Sequence, residues 1–199
     1  MGLVPLGELS THIAPGLTLS RAQGRPSERL RLFQVLQVRD LTEQGGVAPA
    51  ATFQKVELPE SAMRYAAQDG DVVLTCRGSQ LKVAKVEGDA VGTLVTSNLM
   101  QVRLKPLLRP EVLLAHLHSP AGQAALRERV RSTHMLLSLT RSDLLEMLVP
   151  VPNAKQQAHI AELWTATHES YAASLRAAEL RYALGRALTF NMLSLSTTR

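Results

Sequence analysis

The sequence has 199 residues, of which 45% are hydrophobic and 20% are charged. This length and balance suit one medium domain, or a domain with an appendage, and they exclude a disordered chain. The net charge of +5 fits a nucleic-acid or acidic-membrane partner, although similar excesses occur in proteins that bind neither. Aromatic residues make up only 4%, which argues against an extended platform for stacking single-stranded bases.

Cys76 is the only cysteine, so a disulfide within the chain is excluded. Its apolar neighbours predict a small buried residue and not a nucleophile. The first ten residues have neither a basic start nor a sustained apolar core, so no secretory signal is predicted. Apolar runs long enough to span a membrane are also missing, and we expect a cytoplasmic protein.

The first hundred residues predict short strands separated by irregular loops. Residues 10–28 are rich in Gly, Pro, Ser and Arg and predict a loop. Residues 61–68 predict a short helix that Asp69 and Gly70 end. Apolar runs and alternation predict strands at 30–38, 71–76, 81–86 and 99–104.

The composition changes at Pro106, beyond which helix-forming residues become common. Helices are predicted over 110–117 and 121–130, with a Ser-Pro boundary between them. Thr140 and Asp143 fit a capping box that begins another short helix.

A Pro-x-Pro step precedes a long final helix. Residues 147–149 form an apolar extended run into Pro150-Val151-Pro152, which no helix interior tolerates. Asn153 can cap the next helix, with Gln156 at the reciprocal position. From residue 154 to about 190 the helix formers are uninterrupted by proline, which predicts a helix roughly 50 Å long at about 1.5 Å per residue.

This long helix carries an apolar stripe. Its members recur at spacings that place them on one side of the helix: Ile160, Trp164, Tyr171, Leu175, Ala178 and Tyr182. The stripe can pack on its own domain or pair with a second chain. Because the helix is too long to lie wholly on a small domain, we favour pairing. We therefore predict one domain at 1–152 and a dimerisation and spacer helix at 153–199.

Motifs of catalysis are missing from the sequence. It contains no GxxxxGK[ST] phosphate loop, GxGxxG turn, HExxH zinc motif or GxSxG serine elbow. His116 and His118 are two residues apart, on different sides of a predicted helix, and Asp69 and Asp71 flank a turn glycine, where solvated residues are the ordinary case. We expect no catalysis by this chain and no metal or cofactor bound to it.

Basic residues cluster between residues 77 and 109. Within this cluster, Arg77-Gly78-Ser79-Gln80 joins two predicted strands, beside a glycine that lets another backbone approach closely. Arg and Gln can recognise guanine and adenine edges, whereas Lys mainly holds phosphates. A plain polar hairpin loop is the alternative. The predicted DNA contacts are Arg77, Ser79, Gln80, Lys82 and Lys85 in this loop, and Arg131, His134 and Ser138 in a second one.

Several segments, taken in order, resemble the specificity subunits of type I restriction–modification enzymes. They are Leu6–Leu9, Asp69–Gly78, Val112–Gln123, Leu137–Leu139 and Pro150–Pro152, followed by Gln157 and Ile160. The resemblance covers nearly the whole chain. It departs from the family pattern after Arg77-Gly78, where Ser79-Gln80-Leu81 replaces the family's second glycine.

This resemblance implies an α+β fold, in which a small β-rich target-recognition domain precedes a long C-terminal helix that forms a coiled-coil-like dimer. It implies sequence-specific recognition of double-stranded DNA by a half-size, non-catalytic specificity subunit with a single target-recognition domain. A symmetric homodimer would restore two such domains and bind a palindromic target around a spacer.

The resemblance also implies partners. A DNA methyltransferase subunit would carry S-adenosylmethionine and modify adenine, and a restriction and translocase subunit can join it. Two other classes of function stay open on the residues alone. One is a helical protein-interaction scaffold with no sequence-specific DNA binding, and the other is an enzyme that acts on nucleic acid through an unrecognised site.

Overall fold

The computed structural model describes residues 2–21, 29–133 and 136–196, which form an α+β structure. Its strands are β1 (Gly2–Pro5), β2 (Ser10–Pro15), β3 (Leu30–Leu36), β4 (Gln54–Pro59), β5 (Val72–Thr75), β6 (Arg77–Gly78), β7 (Val83–Lys85), β8 (Leu94–Val95), β9 (Leu99–Leu104), β10 (Arg131–Thr133), β11 (Leu136–Ser138) and β12 (Leu148–Val151). Its α-helices are α1 (Leu6–Leu9), α2 (Pro110–His118), α3 (Pro120–Arg129), α4 (Arg141–Leu145) and α5 (Ala154–Ser196).

The chain divides into two compact units, residues 1–161 and residues 162–199. The first unit contains the strands listed above and the opening turns of α5, and the second contains the rest of that helix. The predicted domains 1–152 and 153–199 divide the chain at the start of α5 and stay a prediction. Across the described residues, no helix is both long and apolar enough to cross a bilayer.

A four-stranded antiparallel sheet in the order β2-β9-β5-β7 forms the centre of the first unit. Its inner strand β5 is buried at all four residues, as its continuous apolar sequence predicts. A second sheet has the order β4-β3-β8, with β3 and β8 parallel. The sheets β10-β11-β6 and β1-β12 each join strands that are distant in the sequence.

The core between these elements is mainly aliphatic. Burial of one leucine or valine side chain stabilises the fold by about 1.5–3 kcal/mol, so a cluster of this size is the main source of stability. One cluster of buried residues includes Leu36, Leu41, Phe53, Val73, Val86, Val95 and Leu99. A neighbouring cluster includes Leu17, Val35, Leu58 and Leu94.

The helical half of the chain matches the sequence predictions. Helices α2 and α3 and the long helix α5 lie where they are predicted. The capping box of α4 is formed, because Thr140 Oγ1 accepts from the Asp143 amide and the Asp143 carboxylate accepts from the Thr140 amide. Asn153 and Gln156 make the same reciprocal pair at the start of α5.

In the β-rich half, one prediction is wrong and another is only partly confirmed. Residues 10–28 were expected to form a loop, but Ser10–Pro15 form strand β2 because β9 supplies its hydrogen-bonding partners. The helix expected at 61–68 is a 3-10 helix at Glu60–Tyr65. Both differences arise from contacts with distant segments, which local composition does not encode.

Asp71 ties the central strands together, contrary to its expected role as a solvated turn residue. Its side chain is fully buried, and its carboxylate accepts two hydrogen bonds from the Arg103 guanidinium, both 2.8 Å long. The Gln101 side chain donates at 2.6 Å, and the Gln68 backbone amide donates at 2.7 Å. The hydrogen bonds that Arg103 donates to this carboxylate raise the pKa of Arg103. Asp71 therefore joins the turn before β5 to strand β9.

Replacing Asp71 with alanine should lower the free energy of unfolding by about 3–5 kcal/mol, because the donors of Arg103 and Gln101 would lose their acceptor in the interior. Urea unfolding followed by circular dichroism measures this loss. Asp69 is exposed in the same turn, and Asp69→Ala is the matched control, with an expected change within about 0.5 kcal/mol. Similar losses in the two variants would contradict the role assigned to Asp71.

Candidate nucleic-acid interface

The first predicted DNA-contact loop is held in place by strand pairing. Arg77, Ser79 and Gln80 are exposed between β5 and β7. The segment is more than a hairpin loop, because Arg77 and Gly78 form β6 and pair with β11. The register places Ser138 opposite Arg77, so a residue of the second predicted loop lies beside the first.

Strand β10 extends this small sheet further. Arg131 pairs with Ser138 across β10 and β11, so Ser138 stands between Arg77 and Arg131 in the backbone register. His134, also predicted as a DNA contact, lies outside the described residues. The structure thus brings together two loops that the sequence presents as separate candidates.

Lys82 and Lys85 have intramolecular partners. Only 15% of the Lys82 side chain is exposed, and its Nζ donates to the Leu41 carbonyl at 2.9 Å and lies 3.5 Å from a Glu43 carboxylate oxygen. The Lys85 side chain is 18% exposed, and its Nζ lies 2.6 Å from a carboxylate oxygen of Glu87. The intramolecular bonds of the two ammonium groups would compete with binding to a DNA phosphate. DNA contact by Lys82 or Lys85 stays a prediction.

A second carboxylate completes the Lys85 arrangement. Glu111, on α2, accepts from the Lys85 Nζ at 2.8 Å. Burial alone would lower the pKa of Lys85, but its hydrogen bonds to Glu111 and Glu87 outweigh burial and raise that pKa. Burial likewise acts to raise the pKa of Glu111, and the hydrogen bond from Lys85 reverses this and lowers it. The pair keeps both charges and joins β7 to α2.

A cleft adjoins Arg77 and was not predicted from the sequence. Its volume is about 360 Å³. It lies between three segments, at residues 17–20, 37–39 and 96–98. Its lining is mixed. Apolar side chains come from Leu17, Leu19 and Val38, and hydroxyl, amide and guanidinium groups come from Thr18, Ser20, Gln37, Arg39, Thr96, Ser97 and Asn98. No local sequence pattern joins these residues, because the three segments are far apart in the chain.

The predicted pairing stripe lies on α5. In the second unit, the exposed fractions of Tyr171, Leu175 and Tyr182 are 48%, 49% and 70%. Trp164 stacks on His168 with ring centroids 4.2 Å apart, and Ala178 is exposed. Ile160 is half-buried in the first unit. Pairing through this stripe stays a prediction.

The candidate metal-binding and nucleophilic residues of the sequence can be located among the described residues. Within that part of the chain, no group of three or more His, Cys, Asp or Glu side chains could hold a metal ion. Cys76 is buried, as predicted, and burial raises the pKa of its thiol. Burial also lowers the pKa of His116 below its ordinary value of 6.5. Its Nε2 is buried without a hydrogen-bond partner among the described residues.

Comparison with solved structures explains this architecture. The chain superposes on the HsdS subunit from Thermoanaerobacter tengcongensis with a TM-score of 0.61 and 18% identity, over 86% of this chain and 43% of that one. It also superposes on a chain of a type I restriction–modification system studied for complex assembly and conformational transition. There the TM-score is 0.59 and the identity 23%, over 93% of this chain and 43% of that one.

A third match is the type I restriction–modification system S subunit from M. genitalium, with a TM-score of 0.52 and 14% identity, over 84% of this chain and 39% of that one. The chain has the S-subunit fold. It spans less than half of the length of each of these relatives. No family model matches the sequence, and no curated protein matches it either. The S-subunit fold confirms the predicted α+β class with a long C-terminal helix.

His116 should make the S-subunit fold sensitive to acid. The folded state keeps the imidazole neutral, so near its ordinary pKa of 6.5 the unfolded chain binds more protons. The free energy of unfolding should therefore fall as the pH drops through 6.5 toward the lowered pKa of the folded state. Urea unfolding between pH 7.5 and about 5 measures this fall, and His116→Leu should flatten the profile.

The matched control is His12→Leu, because His12 is exposed on β2. This variant should keep the pH profile of the original chain. If His116→Leu leaves the pH dependence of the free energy of unfolding unchanged, His116 is not the source of the acid sensitivity.

Proposed function

We propose that this chain recognises a specific sequence in double-stranded DNA, as the specificity component of a type I restriction–modification enzyme. The observation that carries the proposal is the S-subunit fold, in which exposed Arg77 pairs along β6 with Ser138. Arg131 follows in the same small sheet. Arginine can bind a guanine edge through two hydrogen bonds, and serine accepts or donates to any base.

The charge of the protein agrees with this proposal. A net charge of +5 attracts the phosphate backbone, and phosphate contacts position a protein on DNA while base contacts select the sequence. Lys82 and Lys85 are largely committed to carboxylates and a carbonyl. We therefore assign the main contact to Arg77, Ser79 and Gln80, which are exposed.

Catalysis would come from partner subunits in this proposal. A DNA methyltransferase subunit carrying S-adenosylmethionine would modify adenine, and a restriction and translocase subunit would cleave where one is present. The chain itself would bind no cofactor and would act in the cytoplasm. The best support for such partners is a neighbour from a type I system whose complex assembly has been described.

Pairing through α5 would supply a second recognition domain. The exposed apolar side chains of Tyr171, Leu175 and Tyr182 support this, because burying them against a second copy removes apolar surface from water. Two copies related by a two-fold axis would bind a palindromic target with a spacer. The same exposed stripe also suits the alternative function, a scaffold that binds other proteins through its helix.

Selection of bound duplexes from a random pool should enrich one sequence motif, and affinity for that motif should fall steeply with salt. Arg77→Ala should weaken binding to the selected duplex about tenfold or more, because each good bidentate base contact contributes about 1–3 kcal/mol of discrimination. Fluorescence anisotropy measures both effects.

Arg64→Ala is the charge-matched control, since Arg64 lies over the Tyr65 ring, 4.9 Å from its centroid, and is exposed. It should keep the affinity for the selected duplex. If no duplex is preferred at moderate salt, with or without a methyltransferase subunit, the proposal is wrong and the protein-interaction scaffold is the better interpretation.

Sedimentation at micromolar concentration should give the mass of a dimer. A double substitution, Tyr171→Glu with Leu175→Glu, should convert it to a monomer, because charged side chains would have to be buried without partners. Ala173→Glu is the control. Ala173 is exposed and lies two residues from both Tyr171 and Leu175, a rotation of about 200° that places it on the opposite side of the helix. If the original chain is a monomer, or if both variants remain dimers, the prediction that the chain pairs through this stripe is wrong.

A further inference from the structure

We propose that Arg39 and Gln54 recognise base edges at a second position of the DNA target, next to the position that Arg77 contacts. This inference rests on the proposed DNA-binding function and extends it to residues that the sequence did not single out. It is carried by the way the cleft is built and by the mixture of donors and acceptors in a hydrogen-bonded cluster beside it, formed by Gln37, Arg39 and Gln54.

Arg39 is held outward by its neighbours in the chain. It lies in a one-turn 3-10 helix, Val38–Asp40, and 62% of its side chain is exposed. The Asp40 carboxylate is buried and accepts from the Gln37 backbone amide at 2.8 Å, while the Asp40 carbonyl accepts from the Ala48 amide at 2.7 Å. These bonds fix the turn. The Arg39 Nε lies 3.8 Å from a carboxylate oxygen of Asp40, while most of the Arg39 side chain stays exposed.

A hydrogen-bonded cluster then orients the guanidinium group. The Gln54 side-chain oxygen accepts from the Arg39 guanidinium at 3.4 Å and from the Gln37 side-chain amide at 2.6 Å. Gln54 is exposed at the start of β4. Side chains held in this way lose less conformational entropy when they bind a ligand, so the cluster is preorganised for contact.

The chemistry of this cluster suits a base better than a phosphate. A phosphate oxygen only accepts hydrogen bonds, so amide and hydroxyl side chains that bind it use only their donors and leave their acceptor oxygens unused. The cluster instead combines the guanidinium donors of Arg39 with the amide oxygen and amide NH2 of Gln54. Asn98 and Thr18, which also line the cleft, can each donate and accept. Base edges carry both kinds of group, and Arg and Gln are side chains that pair with guanine and adenine.

The walls of the cleft are joined by backbone hydrogen bonds. The Leu17 amide donates to the Val95 carbonyl at 2.7 Å, and the Ser97 amide donates to the Leu17 carbonyl at 2.9 Å. The Thr96 amide and hydroxyl both donate to the Leu36 carbonyl. Gly16 permits this approach, because a Cβ there would lie 2.1 Å from the Val95 carbonyl oxygen. The cleft is therefore a fixed feature of the first unit.

Asn98 connects the cleft to the first DNA-contact loop. Its carbonyl accepts from the amides of Cys76 and Arg77, at 2.9 and 3.2 Å. Arg77 and the cleft residue Asn98 are thus adjacent, and a duplex bound at Arg77 passes close to the cleft. Base recognition by Arg39 and Gln54 would then fall at a position near that of Arg77.

The test compares base preference in matched variants of the full chain. Duplexes selected from a random pool define the motif of the original chain, and the same selection is repeated with Arg39→Lys and Gln54→Ala. Arg39→Lys keeps the charge but removes the planar fork that binds a base edge through two hydrogen bonds. Each variant should lose about tenfold or more in preference at one motif position, while the salt dependence of binding stays unchanged.

Two variants serve as references. Arg77→Ala should change a different motif position, and Arg31→Ala should change none. Arg31 is exposed on the same strand that leads to Gln37, about 20 Å away along the strand, and pairs with Glu60 at 2.8 Å. Urea unfolding verifies that each variant is folded.

The outcomes separate this inference from the proposed function. If the original chain selects no motif, the DNA-binding function fails and the inference fails with it. If the original chain selects a motif that Arg39→Lys and Gln54→Ala both retain, only the inference is overturned. A uniform loss of affinity for all duplexes, without any change in preference, would make Arg39 a phosphate contact and would also overturn it.

Discussion

The buried carboxylate of Asp71 is the contact on which the rest of the first unit depends. It lies immediately before β5 and binds Arg103 and Gln101 on β9, so it joins the two inner strands of the main sheet. A buried charge is tolerated only when it is paired and fully hydrogen-bonded, and here the guanidinium, a side-chain amide and a backbone amide meet that need. The position of β5 follows from this contact.

The candidate interface is built at the other end of the same strand. The chain leaves β5 through Cys76, whose amide donates to Asn98 and whose carbonyl accepts from Leu139. Three distant segments therefore meet where Arg77 emerges, with Ser138 beside it in the register. A rigid sheet that carries exposed polar side chains at its margin is the arrangement that sequence-specific recognition requires, because hydrogen bonds to bases depend on fixed geometry.

Much of the fold could be predicted from local pattern. The apolar run of β5, the capping pairs at Thr140 and Asn153, and the proline-free stretch of α5 all specify structure through neighbouring residues alone. Strand β2 could not be predicted in this way, because its hydrogen bonds come from β9, and neither could the pairing of β6 with β11. The sequence also could not show that Lys82 and Lys85 have intramolecular partners, since these partners lie in distant segments.

By itself, the sequence determined the α+β class, the long final helix, the resemblance to the S subunits and the exposed loop at Arg77, because each is encoded in residues that are close in the chain. Only the tertiary structure decided that Ser138 lies beside Arg77, that Asp71 is an interior anchor, and that Gln54 bonds to Arg39, a residue that lines the cleft. These are contacts between remote segments, and they exist only after the strands have paired, since no short-range pattern specifies which strand a segment will join.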